Sequence, residues 1–169
     1  MSNLAFNPIL TPREMILKGV FGGAYFGVNA GPTMTKELAD FLKVEFGDID
    51  CNKWRAEKYM PKRNCFKIKS GMPYGYWLEM NWMHYRDQYG WFEWYIKYNR
   101  GFRGEDDDRQ IQRWQDFCGP NGRWRNNIYT KIHATGDWKT APRVQQSLCH
   151  WAYTVNETDY DLWKALKRE

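Results

Sequence analysis

Residues 89–114 read YGWFEWYIKYNRGFRGEDDDRQIQRW, an aromatic run that passes through an arginine-rich hinge into three consecutive aspartates. Trp91, Trp94, Tyr95 and Tyr98 recur at i, i+3, i+4 and i+7, the spacing that gathers side chains on one face of an α-helix. This predicts a helix from about Tyr89 to Asn99 that meets Gly101. A second helix is expected to begin at the aspartates, whose carboxylates suit the positive end of a helix dipole and can cap free amides. Its inner face would be Ile111, Trp114 and Cys118, with Gly119 and Pro120 ending it.

The same pattern extends in both directions. Thr11, Pro12 and Glu14 spell a capping box with proline at the first helical position, and Gly19 stops that helix. From Thr35 a helix carries Leu38, Phe41, Leu42 and Phe46 on one side and ends at Gly47. After Gly119, Trp124, Ile128 and Ile132 repeat up to Gly136. Thr140 and Pro142 open a helix with Val144, Leu148 and Trp151 inward. Thr158 is read as capping a last one, where Leu162, Trp163 and Leu166 pack and Lys164, Lys167 and Arg168 lie near the favourable C-terminal end. The expected fold is all-α, with about six or seven helices in a single helical domain over residues 1–169. Residues 48–75 break the pattern, a basic irregular segment with at most a short strand around Cys65 to Ile68.

A chain of 169 residues suits one core and is short for two. Ten Trp, eleven Tyr and nine Phe exceed what a minimal core needs, so the rings either build a bulky interior or leave some faces exposed to stack on planar ligands. The net charge of +5 permits a polyanionic partner without demanding one. Lys53, Arg55, Lys58, Lys62, Arg63, Lys67 and Lys69 face only Glu57, with Trp54, Tyr59 and Phe66 interleaved, the composition of a phosphate-and-base surface and equally of a solvated loop. Four widely spaced cysteines without a CxxC pair suggest reduced thiols, and no apolar stretch approaches membrane-spanning length, so a cytoplasmic protein without a membrane partner is expected.

Glycines crowd residues 19–31, where Gly22 and Gly27 have Walker A spacing but Val28 stands in place of its lysine; packing is the simpler reading. His84, His133 and His150 form no recognisable zinc pattern, so neither a metal nor another cofactor is expected. Glu93, Asp107 and Asp108 are the candidate acid–base residues. Consecutive helical carboxylates diverge by about 100°, however, and capping or ion pairing competes with catalysis. Arg109 and Arg113, one turn apart, form a candidate phosphate edge that Arg100, Arg103, Arg123 and Arg125 can extend, unless they pair with Asp106 and Asp116.

GVFGGAYF at 19–26, the 89–114 run and PRVQQSLCHWAY at 142–153 together resemble a family of small tryptophan-rich proteins of bacterial, phage and some eukaryotic sequences. The resemblance covers most of the chain outside residues 48–75 and implies a common fold without an activity. In the family pattern two arginines follow the hinge glycine; here Phe102 and Arg103 follow Gly101. Three functional readings stand side by side. The leading one is a nucleic-acid-associated protein that contacts DNA or RNA phosphates through Lys53, Arg55, Lys58, Arg63 and the arginine edge, with Trp54 or Tyr59 stacking on bases. The others are a small enzyme acting on a nucleotide or DNA base, and a non-catalytic scaffold or homo-oligomer with a tryptophan-rich contact patch.

Overall fold

The computed structural model describes residues 5–29 and 31–167, so the Arg168 expectation lies outside the described residues. Among these residues the protein is all-α: α1 (Pro12–Leu17), α2 (Lys36–Phe46), α3 (Tyr74–Glu79), α4 (Trp91–Asn99), α5 (Asp107–Cys118), α6 (Arg123–Thr135), α7 (Pro142–Cys149) and α8 (Glu157–Leu166). Two 3-10 turns, Cys51–Lys53 and Pro61–Arg63, lie in the basic segment.

The local signals act as the residues dictate. Thr11 accepts from the Glu14 amide while the Glu14 carboxylate accepts from the Thr11 amide, closing a capping box. Gly47 ends α2 and Gly136, in the left-handed region at φ 68°, ends α6. Three expectations need correction. The cap of α8 is Asn156, whose side chain accepts from the Asp159 amide from an extended backbone two residues before Thr158, which already lies inside the helix. Thr140 does not cap α7; Ala141 holds that position and the Thr140 carbonyl accepts from Gln145. Residues 65–68 form a turn rather than a strand: Lys67 has φ 53°, and the Phe66 amide is spent on Gln146 Oε1 at 3.1 Å, which leaves no ladder to build.

Helix α4 is the hub. Its residues Trp91 to Ile96 are all buried, so the helix is enclosed all round over its first six positions rather than along one face. On one side Phe6 inserts edge-on among Trp91, Tyr95, Tyr98 and Trp114. On the other, Phe92 meets Phe21, Tyr25, Phe26 and Phe46. Helix α1 packs on α4, while α6 is the shared neighbour of α5, α7 and α8. A single cluster of buried apolar side chains runs from Leu10 to Trp163.

The glycine-rich stretch is where the basic segment closes on this core. A Cβ on Gly19, at φ 74°, would stand 2.0 Å from the Arg63 carbonyl oxygen, and one on Gly22, at φ 62°, would enter the Tyr59 ring at 2.3 Å. Segment 59–70 also bonds to α7, through Phe66 to Gln146 and Ser70 to Ser147, so it is a docked layer of the fold.

Candidate functional site

Two cavities use α4 as a shared wall. The first, of about 560 Å³, is apolar along Met34, Leu38, Phe41 and Phe102 and acidic at its base. There Lys97 Nζ reaches Glu93 at 2.7 Å and Asp87 at 2.8 Å, and both carboxylates are buried. Burial pushes the Glu93 carboxyl above its ordinary value, against the opposing pull of Lys97. Asp106, also buried, holds Arg109 in a two-point grip at 2.5 and 2.7 Å. Asp107 accepts from Trp94 Nε1 at 2.8 Å and from the Gly104 amide at 2.9 Å, so it fastens the hinge to the start of α5. His84, Asp87 and Asp106 bring one ring nitrogen and two carboxylate oxygens within 4.8 Å of one another, a spacing a cation can use. Asp87 and Asp106 already hold Lys97 and Arg109, whose charges compete with any metal ion there.

The second cavity, of about 620 Å³, is lined by rings from five separate stretches: Phe21 and Tyr25, Trp77 and Trp82, Trp91 and Phe92, Phe117, and Trp151. Into it come Arg113, Arg123, Asp116, Ser147 and His150. Arg113 is half-buried, lies over the Trp151 ring at 5.3 Å and the Trp82 ring at 6.0 Å, and donates to Gln110 Oε1 at 2.9 Å. It forms no ion pair among the described residues. Desolvation, with the like charge of Arg109 second, pulls its guanidinium down to about 10. Arg123 stacks over Phe117 at 5.0 Å and Trp124 at 5.5 Å.

His150 on the cavity wall is held to about 4 by desolvation, with the Val20 carbonyl opposing. Between its ordinary 6.5 and that value the unfolded chain binds more protons, so this residue's contribution to stability is complete above 6.5 and is lost as pH falls through the window. Thermal denaturation should therefore show a larger drop in melting temperature between neutral pH and about pH 5 for the wild type than for His150→Gln; equal drops would contradict it.

The other candidates fall into distinct groups. Lys53, Arg55 and Lys58 are exposed on the basic segment. Trp54, by contrast, is buried against Phe46 and spends its N–H on the Ile49 carbonyl, so it offers no stacking face to solvent. Tyr59 rests on Gly22 with its hydroxyl bonded to Asn64 and Ser70, and Arg63 donates to the Asn52 carbonyl. Arg100 pairs with Glu45, and Arg103 lies 3.6 Å over the Tyr98 ring while donating to the Tyr98 and Phe102 carbonyls. Arg125 is buried between Asp159 and the Tyr153 ring. The arginine edge is thus divided: Arg100, Arg109 and Arg125 answer carboxylates, and Arg113 with Arg123 enters the ring-lined cavity. Glu93 and Asp107 share the first cavity, while Asp108 lies exposed on the first turn of α5 and lines neither.

Sequence reasoning had passed over Lys97 and the aromatic walls Trp77 and Trp82. Lys97 follows Glu93 by four residues, a helical ion-pair spacing that could have flagged it. The walls carry no comparable signal, since α3 and its following turn meet the cavity only in three dimensions. Compared as a whole, the chain matches no family model, no curated protein and no solved structure.

Proposed function

We propose that the chain binds single-stranded nucleic acid, taking an unpaired base among the rings of the second cavity with the adjoining phosphate against Arg113 and Arg123. The observation that carries this reading is Arg113: a desolvated guanidinium that forms no ion pair among the described residues, in a cavity walled by aromatic faces. A desolvated, half-buried cation of this kind is costly to the fold and is answered best by an anionic ligand. Rings that stack on a base are indifferent to its identity, and each base–ring contact is worth about 1–3 kcal/mol. Asp116 at the cavity, its Oδ1 held by Gln112, supplies an acceptor for an exocyclic amine. Gly71 and Met72 of the basic segment form part of the cavity wall, so the stretch that carries Lys67 and Lys69 runs into it. Phosphates on either side of the inserted base can then be screened by Lys67 and Lys69, both exposed.

Fluorescence anisotropy with a labelled oligonucleotide tests the reading. Single strands should bind in low salt, with affinity that falls linearly on a log–log plot against salt concentration, and a duplex of the same sequence should bind more weakly because its bases are already stacked. Absence of binding at low salt, or equal affinity for single strand and duplex, would overturn it.

A further inference from the structure

On α5, Arg109 and Arg113 each meet the residue three places before them, and the two partners differ in kind. Arg109 is gripped by the Asp106 carboxylate at 2.5 and 2.7 Å. Arg113 donates instead to the amide oxygen of Gln110, at 2.9 Å. Spacing and helix are the same, so the two pairs set an acceptor that cancels the cation's charge beside one that leaves it whole. The carboxylate within helical reach on the other side, Asp116, is engaged elsewhere. Its Oδ1 accepts from Gln112 Nε2 at 2.7 Å, and Arg113 forms no ion pair among the described residues.

Gln110 is completely buried, and its backbone carbonyl accepts from Trp91 Nε1 at 3.3 Å, which ties this turn of α5 to α4. A guanidinium only donates, so the side-chain oxygen of Gln110 must face Arg113. Its Nε2 is thereby turned away, and it is buried with no hydrogen-bond partner among the described residues. An orphan donor of this kind is unfavourable, and a methionine of similar volume would fill the space without it. The fold keeps an amide at a cost that packing does not explain.

We propose that Gln110 is a positioning residue for the ring-lined cavity: its amide oxygen aims the Arg113 guanidinium at an incoming phosphate while leaving the positive charge uncancelled. The inference rests on the reading of that cavity as the seat of an unpaired nucleotide, and it names what prepares the cation there. Gln110 does not itself line the cavity and acts through Arg113. One fixed N–H orients the planar fork, and the remaining N–H groups stay available to phosphate oxygens. A long side chain held in this way loses less freedom when the anion arrives. A carboxylate at position 110 would instead make with Arg113 the closed pair that Asp106 makes with Arg109, and the phosphate would have to compete for the guanidinium.

Fluorescence anisotropy of a labelled oligothymidylate across a salt series, beside thermal denaturation of each protein, tests the assignment. Gln110→Glu should bind about 10-fold or more weakly, with a log–log salt slope shallower by about 0.7, the share of one single-strand phosphate contact. Gln110→Met offers no amide oxygen but leaves Arg113 charged. It should bind roughly 3- to 10-fold more weakly with the wild-type slope, and melt at the wild-type temperature or higher. A packing role would give the reverse, a lower melting temperature with unchanged affinity. If the glutamate variant does not fold, the methionine variant decides. Wild-type affinity in either folded variant overturns the inference and leaves the cavity reading standing, whereas a wild-type protein that binds no oligothymidylate at low salt overturns both.

Discussion

Arg113→Gln is expected to weaken single-strand binding by about 10- to 100-fold, the loss of a charge-assisted contact or two to phosphate, and to leave the melting temperature unchanged or higher. The two halves of this result belong together. In the unliganded protein the guanidinium has Gln110 and two indole faces for company and forms no ion pair among the described residues. Holding it charged there costs the fold, as the downward displacement of its protonation equilibrium by desolvation records. Glutamine keeps a polar head of similar reach and removes that cost. A residue present only for packing would behave oppositely, with stability falling and binding following it down. Titration of the variant by anisotropy beside its thermal denaturation separates the two cases. A destabilised Arg113→Gln that binds oligonucleotide normally would contradict the role assigned to it.

Lys97→Met should destabilise the protein by about 3–5 kcal/mol, the cost of leaving buried carboxylates without their cation. Lys97 is the shared partner of Asp87 and Glu93, whose side chains are 7% and 4% exposed. Methionine fills much of the same volume, so the loss is electrostatic rather than a cavity effect. The pH dependence follows with a definite sign. The Glu93 carboxyl already lies above its ordinary 4.5 because it is buried, and loss of Lys97 raises it further. A carboxyl raised in the folded state binds more protons there than in the unfolded chain, so the penalty grows as pH rises through that window and vanishes below the unfolded value. Urea denaturation of wild type and variant should therefore give a difference that is large at neutral pH and small near pH 4. A difference independent of pH would show that packing, not charge, is what Lys97 supplies.

The helices were legible where spacing, caps and stops agreed. The capping box at Thr11, the stop at Gly47 and the turn from Asn99 through Gly101 into the aspartates are local statements, and local physics decides them. Helix α3 was not legible, since its six residues, YGYWLE, are too few to show a period and sit between prolines and turns. Nor was the all-round enclosure of the first six residues of α4, because Phe92 lies off the tryptophan stripe and is covered by Phe21 and Tyr25 from a segment some seventy residues away. The site divides in the same way. Arg109 beside Asp106 was readable as an i, i+3 pair, and Arg100 beside Glu45 was not, because that pair spans α2 and α4. The sequence placed Arg109 and Arg113 on one edge, which helix geometry permits. What separates them is the neighbourhood each enters, a carboxylate for the first and indole rings for the second, and these neighbours come from elsewhere in the chain.

The most direct test of the central claim is ultraviolet cross-linking of a bound single-stranded oligonucleotide, with the attached peptides identified by mass spectrometry. If a base enters the ring-lined cavity, cross-links should fall on Trp77, Trp82, Trp151 or Phe21, and Arg113→Gln should remove them. Cross-links confined to the exposed surface of the basic segment, with Trp77, Trp82 and Trp151 unmodified, would contradict it.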